Sequence, residues 1–110
     1  MTKTVRINAD LITDWNTFHD LFKKVFGFPD FYSKNMDAWI DCMTYIDDKD
    51  SRMAQFSVNK GDTVVIELTN SEEFKMRCPE IYLQLMECTG FVNQRAVDTN
   101  SHTMISIALG

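Results

Sequence analysis

The segment TVVIELT, Thr63 to Thr69, is an unbroken run of β-branched and apolar residues between polar NKGD and Asn70. That pattern predicts a strand buried on both faces, the central strand of a sheet. KTVRIN, Lys3 to Asn8, predicts a short first strand at an edge, because Val5 and Ile7 alternate with Thr4, Arg6 and Asn8. TMISIALG supplies a third strand at the end of the sequence. Helical segments long enough for crossovers separate the strands, and crossovers of that kind connect parallel neighbours. The expected fold class is therefore α/β: a three-stranded parallel β-sheet packed with about four helices, a single compact domain over residues 1–110.

The first helix is written in TDWNTFHDLFKKVFGFP. Trp15, Phe18, Leu21, Phe22, Val25 and Phe26 recur at helical spacing, Thr13 and Asp14 are cap candidates, and Lys23, Lys24, Gly27 and Pro29 close it. A second helix is predicted from about Met36 to Ile46, capped by Asn35 or Ser33, with Met36, Trp39, Ile40 and Met43 as its buried stripe. Asp47 to Asp62 reads as a long polar loop around one short amphipathic piece. SEEFKMR, Ser71 to Arg77, predicts a short helix, and Pro79 starts a longer one through Asp98 with an interruption expected at Thr89-Gly90.

With 110 residues, 45% of them apolar and 25% charged, the chain has the composition of an ordinary globular domain rather than a disordered one. Eleven Lys and Arg against sixteen Asp and Glu give a net charge of -5, which argues against direct binding to nucleic acid and for a basic partner. Cys42, Cys78 and Cys88 form no C-x-x-C pair and fall in helical segments, so they are expected to be reduced core residues. The first residues lack an export signal and no apolar run approaches the ~18 residues of a membrane span, so a reducing cytoplasm and no membrane contact are expected. His19 and His102 have no spaced ligand partners, and DDKDS lacks the glycine and glutamate of a calcium loop. No metal or cofactor is indicated.

The segment YSKNMDAWIDCMTYIDDKD carries five aspartates against two lysines. Asp37 and Asp41 stand at i and i+4 on one helix face and repel each other by ~0.2–0.5 kcal/mol, with no cation inside the helix to offset them. Asp47 and Asp48 follow at the C-terminal end, where the macrodipole disfavours acid. Either this is a solvated face in an acidic chain, or the charge is kept for a partner.

The stretch FHDLFKKVFGFPDFYSKNMDAWIDCMT, Phe18 to Thr44, resembles the barstar family of intracellular ribonuclease inhibitors at Pro29, Tyr32, Asn35, Asp37, Ala38, Asp41, Cys42 and Thr44. Outside that stretch the likeness is one of strand and helix order. The resemblance implies a protein inhibitor of a small basic ribonuclease or nuclease toxin, not an enzyme and monomeric when free, whose acidic second helix enters the active site in place of RNA phosphates. It implies a partner surface of Phe31, Tyr32, Asn35, Asp37, Ala38, Asp41, Thr44, Tyr45 and Asp48, with Glu87 from the later helix. The chain departs from the family pattern in carrying Phe31 where a tyrosine is common, and a longer, more acidic loop after the second helix, which is expected to retune partner choice. The alternative is a non-inhibitory binding module of the same fold for another basic protein. A hydrolase using the aspartate pair is the weakest reading, because an exposed helix offers no means of splitting their pKa values.

Overall fold

The computed structural model describes residues 1–110. β2, Thr63–Thr69, lies at the centre of a three-stranded sheet, paired in parallel with β1, Thr2–Asn8, on one side and β3, Met104–Leu109, on the other. The register places Ile7 beside Leu68, Val5 beside Ile66, and Ile66 beside Ile107. Val64, Ile66 and Leu68 are buried with Ile7 and Ile105 on one face. The opposite face differs from the expectation of burial on both sides: Val65 and Glu67 of β2 are only half-buried, Arg6 of β1 pairs with Glu67 at 2.9 Å, and Ser106 of β3 is exposed. Helices cover one face only. Val65, Thr63 and Thr69 favour strand geometry without being core residues, so the run looked more buried than it is.

The crossovers are α1, Trp15–Phe26; α2, Met36–Thr44; α3, Ser71–Arg77; and α4, Pro79–Asp98. α1 opens with a capping box, in which the Asp14 carboxylate accepts from Thr17 N at 2.8 Å and Thr17 Oγ1 accepts from Asp14 N at 3.0 Å. It ends at Gly27, whose φ of 70° is the left-handed cap and whose missing Cβ would lie 2.6 Å from Gln55 Cβ. Phe18, Phe22 and Phe26 bury one face of α1, and Phe22 meets Trp39 of α2 edge-on at 5.8 Å. Ile81, Leu85, Cys88 and Val92 of α4 complete the same core. No helix is long and apolar enough to cross a membrane.

α4 runs through Thr89-Gly90 without the expected break. Thr89 turns its hydroxyl back to Leu85 O at 2.7 Å, and Gly90 sits on the exposed side, so neither residue breaks the helix. The three cysteines are free and buried, as the sequence indicated. Burial, with the Asp41 charge beside it, pushes the Cys42 thiol up to about 11, so it stays protonated and unreactive at neutral pH.

Candidate functional site

α2 is fixed from below and open above. Asn35 Oδ1 accepts from Ala38 N at 2.8 Å and so caps the helix, while Trp39, Cys42 and Met43 anchor its inner side in the core. The stripe is narrower than expected, since Met36 and Ile40 are only half-buried. The helix also stops at Thr44, with Tyr45 as its C-cap and Ile46 already in the core beyond it.

On the outer side Asp37 is exposed and makes no ion pair and no side-chain hydrogen bond. It stands in the first turn, where the N-terminal dipole favours an anion. Asp41, one turn on, is not bare. Arg95 of α4 donates from Nη1 to Asp41 Oδ1 at 2.9 Å and to Thr44 Oγ1 at 3.4 Å, while Thr44 Oγ1 donates to Ile40 O at 2.6 Å. The two carboxylates that look alike in sequence therefore differ in charge environment.

Between α2 and α4 lies a groove of about 370 Å³, lined by Asp37, Ile40, Phe91, Gln94, Arg95 and Asp98. Phe91 is 61% exposed, which makes it the largest apolar group offered by α4 on this side. Glu87, the residue expected from the later helix, is exposed one turn before Phe91 and does not line the groove. Burial first, then the charges of its chain neighbour Glu87 and of Asp37, raise the pKa of the Cys88 thiol. Phe91, Gln94 and Arg95 escaped the sequence reading because the register of α4 against α2 is set by packing. The signal available was Phe91 itself, an aromatic residue on the polar side of an amphipathic helix.

The remaining residues expected at the surface divide into those that form it and those that support it. Phe31 is 72% exposed at the entrance to α2, and Tyr45 and Asp48 stand in the open at its exit. Ala38 and Thr44 are half-buried. Tyr32 lies inside: it is buried against Phe28, and its hydroxyl meets Nδ1 of His19 at 2.5 Å. Its ring holds the chain that carries Phe31 rather than facing outward. His19, expected only beside the apolar stripe, is itself buried and stacks on Trp15. Burial first, then Lys34, lowers its pKa, with Asp20 opposing, so the imidazole is neutral inside the fold.

At the far end of α2 a polar cleft of about 250 Å³ is lined by Tyr45, Asp47, Asp48, Lys60, Asn100 and neighbouring residues. The Asp47 side chain is 6% exposed and accepts from Thr103 Oγ1 at 2.7 Å, with Lys60 Nζ at 3.7 Å. Asp62 is likewise buried, held by Asn59 N at 3.0 Å and the Met1 amino group at 3.3 Å. The backbone bond from Asn59 leads the causes that keep its carboxyl below the usual carboxylate range. The loop is therefore less acidic in space than in sequence. Asp48 and Asp50 are its exposed acids, against exposed Lys49, Arg52 and Lys60. Lys49 and Arg52 line a further open cleft with Phe28, Pro29 and Asp30, next to Phe31.

The parallel sheet, with a short acidic helix anchored in the core by Trp39, Cys42 and Met43, defines a small α/β protein whose outstanding surface is a helix face. A family model described as Barstar (barnase inhibitor) matches residues 2–108, and the chain belongs to the barstar family. The description is that of inhibitors of a ribonuclease, not of enzymes. No curated protein matches the sequence.

Proposed function

We propose that this chain inhibits a small basic ribonuclease or nuclease toxin by covering its active site with α2, the Asp37 and Asp41 carboxylates taking the place of RNA phosphates. The observation that carries this reading is Asp37: a solvent-exposed carboxylate that makes no ion pair within the chain, on a helix whose other side is locked by Trp39, Cys42 and Met43. A ribonuclease must hold phosphate with Arg, Lys or His⁺, and carboxylates on a rigid helix accept the same charge-assisted hydrogen bonds. Because the helix is already ordered, little conformational entropy is lost on docking. Phe31, Asn35, Ala38, Thr44, Tyr45 and Asp48 surround the contact and Glu87 approaches from α4, while Tyr32 acts from beneath. The net charge of -5 favours a basic enzyme and disfavours RNA itself.

Titration of RNA cleavage tests the reading. Equimolar chain should abolish cleavage by barnase or another small basic ribonuclease, and the free chain should not retain RNA. Persistent cleavage by every such enzyme at excess chain, or RNA binding by the chain alone, contradicts it. The mixed charge around Arg95 and the loop supports a second reading, a binding module for a basic protein that is not a nuclease. That reading gains if the chain captures such a protein and leaves all the ribonucleases active.

A further inference from the structure

We propose that Arg95 is a specificity-determining residue of this surface: it holds Asp41 in an internal ion pair, and a partner must displace it before its own cation can bind there. This rests on the inhibitor reading above and adds to it a residue outside α2. Arg95 lies 54 positions from Asp41 in sequence, and α4 brings its Nη1 to 2.9 Å from Asp41 Oδ1 and 3.4 Å from Thr44 Oγ1. Both side chains are about half-exposed, 50% for Arg95 and 53% for Asp41, so the pair lies on the surface that a partner would cover. Arg95 also lines the groove with Asp37 and Asp98, so one guanidinium stands among three carboxylates. An enzyme whose phosphate site consists of cations meets bare charge at Asp37 and a like charge at Arg95.

Displacing Arg95 costs the partner what a half-exposed ion pair is worth, and that cost falls on every target that reaches for Asp41. Targets that bind chiefly through Asp37 escape it. The arginine thereby separates basic enzymes that the sequence of α2 alone would treat alike.

The test uses the whole chain with barnase and a panel of small basic ribonucleases. Wild type, Arg95→Gln, Asp41→Asn and the double variant are compared by Kd and by association rate at low and high salt. Gln keeps a long polar side chain and removes the charge, taking the net charge from -5 to -6. Arg95→Gln should bind about two- to fivefold more tightly than wild type to the enzymes that engage Asp41, with faster association at low salt, and no more tightly to those that bind chiefly through Asp37. The gain should vanish in the Asp41→Asn background, where there is no pair to break. Weaker binding by Arg95→Gln overturns the proposal, because it makes Arg95 a contact to the partner. An equal gain with and without Asp41 also overturns it, by reducing the effect to net charge. Both outcomes leave the inhibitor reading standing, whereas binding to none of the enzymes by any variant removes that reading and this one together.

Discussion

α2 and the loop that follows it, residues 45–62, are both rich in aspartate, yet they use it in opposite ways. In α2 the carboxylates face solvent while the apolar residues anchor the helix, so Asp37 is available to a partner. In the loop the two acids at the ends, Asp47 and Asp62, are buried as ties, one to Thr103 and Lys60 and the other to Asn59 and the Met1 amino group. What the loop shows to solvent is two acids, Asp48 and Asp50, against three cations, Lys49, Arg52 and Lys60. The lesson is that charge in a sequence becomes surface charge only where the acid has no buried donor to satisfy. On the well-anchored helix Asp37 keeps its field while Asp41 shares its charge with Arg95, and in the folded-back loop Asp47 and Asp62 spend theirs internally.

Substitution of Asp37 should have the greatest consequence for binding. Asp37→Asn should cost ~2–5 kcal/mol of binding to the cognate ribonuclease, a loss of at least ~30-fold, a range for which barnase with barstar is itself a reference case. The denaturant midpoint should barely move, since Asp37 has no internal partner. A loss of fold stability with unchanged Kd would make Asp37 a structural residue of the helix instead of a contact to the partner.

Asp47 should behave in the reverse manner. Asp47→Ala leaves the buried Thr103 hydroxyl without its acceptor, which should lower stability by ~1–3 kcal/mol, while the Kd of whatever remains folded is unchanged. Equilibrium denaturation and binding measured on the same sample check both halves.

A smaller effect concerns the support under Phe31. His19 is buried neutral with its pKa lowered, so the unfolded chain binds more protons than the folded one just below the ordinary histidine value. Stability should be full above about pH 6.5 and decline as pH falls through and below it. His19→Gln should flatten that part of the profile, and thermal melts between pH 5 and pH 8, a window of about three units, read it directly. A slope that survives the substitution would assign the effect to another group.

The smallest effect belongs to the loop's exposed cations. Lys49→Glu with Arg52→Glu should leave stability within about 0.5 kcal/mol, because neither side chain makes an ion pair. It should change affinity by a few-fold at most, and differently for different ribonucleases. A large common loss would place the loop at the centre of the interface instead of its rim.

Much of this architecture could be read from the chain because it is written in local signals. The three strand runs, the capping box at Asp14, the Gly27 stop and the Asn35 cap all depend on residues a few positions apart. The candidate surface was legible to the same depth: Asp37 and Asp41 share a face by spacing alone. What escaped depends on distant partners. The Asp41–Arg95 pair joins two helices across 54 positions, and the fates of Asp47 and Asp62 depend on Thr103 and Met1. Tyr32, placed on the partner surface by the family resemblance alone, is buried, and nothing nearby in sequence shows that His19 closes over its hydroxyl. The open face of β2 was missed for a related reason, since valine and threonine suit a strand whether or not a helix covers them.

Occupation of a phosphate site by α2 is open to a competition experiment. The Kd of the chain for barnase should be measured at rising concentrations of a 3′-mononucleotide. If Asp37 and Asp41 stand where RNA phosphates bind, the apparent Kd rises in proportion to nucleotide occupancy and no ternary complex forms. An unchanged Kd, or a complex holding enzyme, nucleotide and inhibitor together, would mean that α2 docks away from the phosphate site.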